Sequence, residues 1–345
     1  MAKAVPLLMG RYLEPSAGRV AFVDRQSGGR SFAAHYEEHL RPRVDEFEDR
    51  RMAALREHTK RLKVFFLGSL ALIAITGVVW PLLLARFDAV LQVLVAPIVG
   101  IFLLWIWATV PLRRYRSGVK SEIYPLIFKF FGDEFQYAEA SPLVPDALAP
   151  SEIIPSHDKY HCEDYVRGAY RGVGLELTEA KLTETRGSGK NRHDVTVFRG
   201  LMILFAAHKP FAGKTFVKKD SGRLGNWLTD KFNKFETIEL EDPDFESRFE
   251  VYGTDQVEAR TLLTPSFMER LMGLAALFDD AKIECSFYDD KLLIMIPSDK
   301  DRFDAISPFQ PVTFQDEINA ILAEMALIFE IVDLLKLDRR RSVRG

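Results

Sequence analysis

Val64–Leu84, VFFLGSLALIAITGVVWPLLL, and Val90–Leu112, VLQVLVAPIVGIFLLWIWATVPL, are two uncharged apolar stretches that decide the fold of this chain. They contain 21 and 23 residues, and only the loop 85–89, ARFDA, separates them. At about 1.5 Å of rise per residue, each stretch would form a helix roughly 30 Å long, which matches the hydrocarbon core of a bilayer. Because lipid-exposed backbone must satisfy its own hydrogen bonds, we expect a hairpin of two transmembrane helices.

The charges that flank the two stretches predict an orientation. Four basic residues precede the first stretch and four follow the second, whereas the loop carries one Arg and one Asp. These residues are Arg56, Lys60, Arg61 and Lys63, then Arg113, Arg114, Arg116 and Lys120. The positive-inside rule therefore predicts that both long ends of the chain are cytoplasmic. A pair of buried core helices is the alternative, but helices of globular proteins rarely run past about 20 residues without a charge.

The two parts of the chain differ in charge. Residues 1–116 hold 17 Lys and Arg against 10 Asp and Glu, whereas residues 117–345 hold 29 against 39. The acidic C-terminal part argues against nucleic acid as a partner, because proteins that bind nucleic acids normally present a basic surface. Cys162 and Cys285 are far apart in sequence and are expected in a reducing compartment, so we predict free thiols rather than a disulfide.

The remaining pattern divides the chain into further segments. Residues 1–31 contain Gly, Pro and Ser without periodicity and are predicted to be a disordered leader. Residues 32–63 are predicted to form an amphipathic cytoplasmic helix, which Pro42 kinks or divides. It packs on the cytoplasmic domain, on a second copy or in the membrane interface. Residues 113–158 are predicted to hold a membrane-exit helix at 121–131 and then, at 141–155, a proline-rich linker or an extended segment that wraps the domain.

Residues 159–345 are predicted to be a cytoplasmic α+β domain with a basic C-terminal tail. A period of two predicts strands at 166–170, 174–185, 194–207, 214–219, 236–240, 282–288 and 291–296. Thr264-Pro265 is a favourable helix start for Ser266–Phe278, and Thr313–Leu337 has the apolar spacing of a long helix. The predicted fold class is therefore α+β: a two-helix transmembrane hairpin that anchors a cytoplasmic antiparallel-sheet domain with packed helices.

Three longer motifs add a family resemblance. They are EDYVRG at Glu163–Gly168, RGSGKNRHDVTVFRGL at Arg186–Leu201 and FEVYGTDQVEARTLLTPSFMERL at Phe249–Leu271. With them, residues 32–337 resemble a bacterial membrane-protein family known as domain of unknown function 3137. The resemblance implies a bacterial inner-membrane protein with two spans. It implies no activity, no cofactor and no catalytic or binding residue.

Motifs that could carry chemistry are weak. Gly187–Lys190, GSGK, departs from a phosphate-binding P-loop, because Glu184 replaces its first Gly and Asn191 follows the Lys. The cluster HDKYHCED at His157–Asp164 has metal-binding atom types but no second ligand pair downstream. His35 with His39, and Asp299 with Asp301 and Asp304, are similarly incomplete. We therefore predict no metal site and no cofactor.

Basic residues form two candidate contacts with an anionic surface. Arg186, Lys190 and Arg192 lie on the predicted hairpin tip, and Arg339, Arg340 and Arg341 lie in the tail after the last helix. Each cation near an anionic leaflet contributes about 1 kcal/mol. The alternatives are a solvated tip, and a tail that caps the last helix or frays.

These observations favour a membrane-anchored, non-enzymatic module that binds a partner protein or an anionic lipid surface. Self-association remains open. The alternative is an enzyme that acts on a membrane-associated substrate through dispersed residues that no motif reveals.

Overall fold

The computed structural model describes residues 26–27, 30–84, 90–219, 235–299, 308–309 and 315–341. The chain divides into two compact units. One contains residues 1–123 and 304–316, and we call it the helical unit; the other contains residues 124–303 and 317–345, and we call it the sheet domain. Most of the predicted leader lies outside the described residues, although β1 (Gln26–Ser27) pairs with β2 (Arg30–Ser31).

Two long helices confirm the prediction of helical apolar stretches. After α1 (Phe32–His35) and a π-helical turn at Tyr36–Leu40, α2 runs over Arg41–Leu84 and α3 over Val90–Lys129. The expected amphipathic helix therefore continues into the first apolar stretch. Residues 121–129 of the expected membrane-exit helix are helical, but they are the end of α3, which continues through Pro111 and Pro125 up to Lys129.

The π-helical turn explains how the chain accommodates Pro42. A proline has no amide hydrogen and its ring crowds the preceding turn, so it strains a regular helix. Here the amide of Arg41 donates to the carbonyl of Tyr36, five residues earlier, which widens the turn just before the proline. The sequence predicted a kink or a break at Pro42, whereas helical hydrogen bonding continues.

Many of the described apolar side chains in the predicted spanning parts of α2 and α3 are exposed. Leu67 on α2 is 69% exposed and Ile98 on α3 is 65% exposed. Both helices are long and apolar enough to cross a membrane. At most 11% of their most hydrophobic windows is buried within the molecule, whereas the core helix of a soluble protein would be mostly buried.

Polar contacts join the two helices at the end of the apolar stretches. Because Pro111 has no amide hydrogen, the carbonyl of Trp107 loses its usual helical donor. The Arg61 guanidinium donates to that carbonyl at 3.1 Å and lies 4.8 Å from the centroid of the Trp107 ring. One turn earlier on α2, Nδ1 of His58 lies 2.6 Å from the carbonyl oxygen of Ala108.

The sheet domain contains a nine-stranded antiparallel sheet. Its strands are β3 (Gln136–Ala140), β4 (Lys159–Tyr170), β5 (Val173–Arg186), β6 (His193–Ala206), β7 (Thr215–Lys219), β8 (Glu236–Thr237), β9 (Phe249–Gly253), β10 (Glu284–Tyr288) and β11 (Lys291–Pro297). The spatial order is β3-β4-β5-β6-β11-β10-β7-β9-β8. This confirms the α+β class, including the hairpins β5–β6 and β10–β11.

Four helices accompany the sheet in the part of the chain that the structure describes. They are α4 (Pro243–Glu246), α5 (Gln256–Leu262), α6 (Pro265–Leu277) and α7 (Gln315–Arg341). The expected start at Thr264 is confirmed, because its hydroxyl accepts from the amide of Phe267. On one face of the sheet, Phe267 of α6 packs on Phe287 of β10, and Phe329 of α7 stacks on Tyr170 of β4.

The opposite face is covered by the proline-rich segment, which was predicted to be either a linker or an extended segment that wraps the domain. A 3₁₀ helix forms at Pro145–Ser151, and Leu143, Leu148 and Ile153 are buried in one cluster with Leu182 and Met202 of the sheet. A hydrogen bond also connects this segment to the sheet, because the Ser286 hydroxyl of β10 donates to the Ser151 carbonyl at 2.7 Å. The folded domain therefore begins before residue 159, because the apolar residues between the prolines fill this face.

Candidate functional site

A groove of about 450 Å³ lies at one end of the sheet, within the sheet domain. Its floor consists largely of small residues, and its rim carries two acidic and two basic side chains. The small residues are Gly168, Ala169, Gly174 and Ala206, and the charged residues are Glu134, Arg167, Glu176 and Lys291. The cluster around Leu148 covers another part of this sheet face, so the groove is the part that the 3₁₀ segment leaves open.

The strand register explains why these residues meet. Arg167 on β4 lies opposite Glu176 on β5, and Glu176 lies opposite Leu204 on β6. Residues that lie directly opposite each other in an antiparallel sheet project from the same face. The next row toward the β4–β5 turn holds Ala169 and Gly174, whose short side chains leave space above the sheet.

The groove offers charge but no conventional nucleophile. The Tyr165 hydroxyl donates to Oε2 of Glu176 at 2.7 Å, and burial, followed by this bond, raises the pKa of Tyr165 above its usual value. Among the described residues that line the groove, none is a Ser, Thr, Cys or His. The arrangement can bind a polar ligand through Arg167, Lys291, Glu134 and the remaining oxygen of Glu176. The sequence predicted none of the groove residues as ligand contacts, because all but Glu134 are spread over five strands.

A second polar feature lies at the β3–β4 edge of the sheet. Asp164 is 1% exposed and occupies a β-bulge with a φ of 53°. The Tyr137 hydroxyl donates to its carboxylate, and burial, followed by the charge of Asp164, raises the pKa of Tyr137 well above its usual value. The sequence grouped Asp164 with possible metal ligands, whereas the structure uses it to fix the bulge.

The other members of the His157–Asp164 cluster do not converge. Nδ1 of His157 lies 2.9 Å from the Pro155 carbonyl oxygen, and His161 lies 3.6 Å from Glu163 with its side chain 71% exposed. Successive residues of an extended strand point to opposite faces, which separates these side chains. Among the described residues, no three His, Cys, Asp or Glu side chains form a group that could hold a metal ion.

The two cysteines and the remaining incomplete motifs are placed as follows. Cys162 and Cys285 are both free thiols, as expected. Burial raises the pKa of Cys162 to about 11 and also raises the pKa of Cys285. The rings of His35 and His39 stack at 4.5 Å. Of the incomplete acidic motif Asp299, Asp301 and Asp304, only Asp299 lies within the described residues.

The hairpin tip between β5 and β6 is exposed but only partly basic. Arg186 already donates to Glu184 at 2.7 Å, whereas Arg192 is exposed. The side chain of Lys190 lies outside the described part of the molecule. Beneath the tip, Asp194 accepts from Lys159 at 2.7 Å and from Thr185 at 2.9 Å, and these bonds lower the pKa of its carboxyl group.

The basic tail is an extension of the last helix. The sequence ended that helix at Leu337, whereas α7 continues to Arg341 and includes Arg339 and Arg340. Their side chains are outside the described residues. At the C-terminal end of a helix, cations interact favourably with the helix dipole, which gives a local reason for this extension.

Comparison with known proteins gives a family for the C-terminal part of the chain. A model of the family described as "Protein of unknown function (DUF3137)" matches residues 196–337. Residues 196–337 are similar to the DUF3137 family. The match confirms the resemblance predicted from the sequence and covers β6 to most of α7, which includes one wall of the groove and the strands that join β6 to β9.

Other comparisons add little to the DUF3137 assignment. No curated protein matches this chain. A solved structure that is similar to it is the crystal structure of the mycobacterial trehalose monomycolate transport factor A, TtfA. The identity is 13% and the TM-score 0.31, over 58% of this chain and 86% of that chain. This likeness is too low to support an argument about fold or function.

Proposed function

We propose that this protein is an integral membrane protein that holds a non-enzymatic binding domain at the membrane surface. The observation that carries the proposal is the exposure of the apolar residues on α2 and α3. Val64, Leu70 and Phe102, for example, are 50%, 65% and 56% exposed. Burying such surface contributes about 25 cal/mol per Å², and lipid supplies an apolar environment for a helix of this length.

In the proposed topology, α2 and α3 cross the inner membrane of a bacterium and both ends of the chain are cytoplasmic. The basic residues at Lys60–Lys63 and Arg113–Arg116 support this orientation. A Cys at Phe87, between the two helices, should react with an impermeant maleimide added to intact cells. A Cys at the exposed Ser188 on the β5–β6 tip should react only after the cells are opened. Labelling of the Ser188→Cys variant in intact cells would refute the orientation.

Insertion itself has a separate test. Alkaline carbonate should leave the full chain in the membrane pellet, because two apolar helices of this length remain inserted when peripheral contacts are removed. Release into the supernatant would refute the anchor.

The binding role proposed for the sheet domain is contact with an anionic lipid surface. Its supports are the exposed β5–β6 tip, with Arg186, Lys190 and Arg192, and the C-terminal turn of α7, with Arg339, Arg340 and Arg341. Each set supplies a few kcal/mol at most, and salt screens it beyond about 8 Å at physiological ionic strength. Because Arg186 pairs with Glu184, we expect Arg192 to contribute more of the tip's attraction than Arg186.

The test uses the full chain in nanodiscs of anionic or neutral lipid. Protection of the tip from hydrogen exchange should be greater on anionic discs, and added salt should remove the difference. Replacing Arg186, Lys190 and Arg192 by Ser should also remove it without unfolding the sheet, since the side chains of Arg186 and Arg192 are exposed. If the parent and the triple variant show the same protection of the tip on anionic discs, a partner protein replaces the lipid surface as the proposed ligand of the sheet domain.

The groove supports a second candidate, an enzyme that acts on a membrane-associated substrate. Its volume of about 450 Å³ and its four rim charges are features of a small-molecule site. Alanine variants of Arg167 and Lys291 would separate the two candidates. An enzyme should lose its cellular activity with its fold and its lipid contact intact, whereas a lipid-binding module should not be affected by these variants.

A further inference from the structure

A notch of about 360 Å³ separates α2 and α3 within the helical unit, next to the apolar stretches. One face of each helix lines it, because the lining residues recur at helical spacing. The lining includes Arg50, Ala54 and Arg61 from α2, and Pro111, Arg114 and Gly118 from α3.

Small residues keep the notch open. Ala54 and Gly118 project little or no side chain into it, and a Cβ atom built at Gly118 would have no neighbour within 4 Å. Near the apolar end, Pro111 makes the Trp107 carbonyl available to Arg61, and this bond holds the Arg61 side chain against the indole ring. The local sequence therefore creates both the space and a fixed cation at its edge.

The charges of the notch are unevenly neutralised. Arg50 binds Glu46 and Glu122, at 2.5 and 2.7 Å, and Arg61 binds Glu57 at 2.9 Å. Arg114 is exposed, and no described residue is its hydrogen-bond or ion-pair partner. The notch thus has two guanidinium groups, of Arg50 and Arg61, that are paired with protein carboxylates, and a third, of Arg114, whose donors no described residue uses.

Arg61 and Arg114 flank the apolar stretches at the distance expected for the headgroup layer of a bilayer. Arg61 lies three residues before Val64, and Arg114 lies two residues after Leu112. At about 1.5 Å per residue, both Cα atoms are roughly 3–5 Å beyond the apolar stretches. The polar layer on each side of the hydrocarbon core is roughly 5–7 Å thick, so these side chains reach lipid phosphate groups.

We infer that this notch binds the phosphate group of an anionic glycerophospholipid. Arg114 supplies the principal contact through its free guanidinium donors, which suit a phosphate group geometrically. Arg61, held on Trp107, forms the second wall, and Pro111 gives the lipid glycerol and acyl carbons an apolar contact. The inference rests on the proposed membrane anchoring, and basic pockets between spanning helices are suited to anionic headgroups.

The experiment measures lipid binding to the full chain in nonionic detergent by native mass spectrometry. The probes are phosphatidylglycerol and, with the same acyl chains, phosphatidylcholine. We expect the parent to prefer phosphatidylglycerol and the Arg114→Gln variant to bind it about fivefold more weakly. Arg113→Gln is the matched control, because this neighbouring residue is also exposed but does not line the notch. It should retain the preference.

A variant that leaves all charges in place tests the notch itself. Gly118→Leu should fill the space and reduce phosphatidylglycerol binding, and it should not weaken the helix, since Leu favours helices more than Gly does. If Arg113→Gln and Arg114→Gln weaken phosphatidylglycerol binding equally, the preference comes from general attraction between basic residues and anionic lipid, and the proposed site is overturned. Unchanged binding by Gly118→Leu would also overturn it.

Two controls separate the possible sources of failure. Displacement of phosphatidylglycerol by inorganic phosphate at matched concentration would assign the notch to free phosphate and overturn the lipid assignment. Failure of the anchoring proposal appears independently, as release of the chain by alkaline carbonate. An anchored parent chain without any preference for phosphatidylglycerol would overturn the notch inference alone.

Discussion

Replacing Gly200 by Ala should severely destabilise the sheet domain. Gly200 lies on β6 with paired strands on both sides, opposite Ala180 of β5 and Pro297 of β11. Its φ of 148° is a conformation that residues with a side chain rarely adopt. A Cβ atom here would lie 2.0 Å from the Ile296 carbonyl oxygen and 2.7 Å from the Ser298 amide nitrogen. Both neighbours are backbone atoms, which cannot rotate away.

The magnitude follows from two costs. A strained backbone conformation costs about 1–3 kcal/mol, and overpacking in a well-packed core costs about 1–3 kcal/mol. Together we expect a loss of roughly 2–6 kcal/mol from a typical total of about 5–15 kcal/mol. Because β6 pairs with β11 from Leu201 to Ala206 as well, the sheet cannot shift at Gly200 without losing other pairs.

The assay is hydrogen exchange by mass spectrometry on the full chain in detergent, using peptides from β6 and β11. Gly200→Ala should accelerate their exchange by at least an order of magnitude, since 1.4 kcal/mol corresponds to a factor of ten if exchange follows global opening. Gly273→Ala is the matched control. Gly273 lies inside α6 with no atom within 4 Å of a built Cβ, so this variant should stabilise the helix by up to about 1 kcal/mol. Equal exchange in the parent and Gly200→Ala would refute the steric argument.

Three further predictions concern buried polar groups. Arg51→Met should lower the free energy of unfolding, measured by thermal unfolding, by about 3–5 kcal/mol. The reason is that the fully buried Arg51 binds Glu48 at 2.8 and 2.5 Å, and the variant leaves the Glu48 carboxylate in a largely buried site without this partner. The exposed pair of Arg41 and Glu37 is the control, and Arg41→Met should hardly change the melting temperature. Tyr137→Phe should lower the free energy of unfolding by about 1–3 kcal/mol, because the hydroxyl donates to buried Asp164; an unchanged urea midpoint would contradict this. The sheet domain should keep its stability below pH about 9 and lose part of it as the pH rises toward 11. Burial raises the pKa of Cys162 from 9.0 to about 11 in the folded domain. Between these two values the thiol is ionised in the unfolded chain but still protonated in the folded domain, which favours unfolding. Cys162→Ser should make the urea midpoint less sensitive to pH in this range, and equal sensitivity would show that other groups control it.

Several features follow from short stretches of sequence alone. The uncharged runs at Val64–Leu84 and Val90–Leu112 determine helices, because their residues can satisfy backbone hydrogen bonds locally. The strands predicted at 282–288 and 291–296 leave only Asp289 and Asp290 between them, and Asp289 takes a φ of 48° in the turn of the β10–β11 hairpin. Thr264-Pro265 similarly fixed the start of α6. Each of these signals depends on neighbours within a few residues.

The tertiary structure alone decided which distant segments meet. β7 pairs with β9 across residues 220–248, and β11 pairs with β6 across residues 207–290, so neither pairing has a local sequence signal. For residues 141–155 the sequence left a linker and a wrapping segment open, because prolines interrupt their periodicity, and only the packing of Leu143, Leu148 and Ile153 on the sheet decided for wrapping. The groove and the notch are products of such packing. Their residues carry no motif, because the strand register of the sheet and the facing of two helices bring together side chains that are distant in sequence.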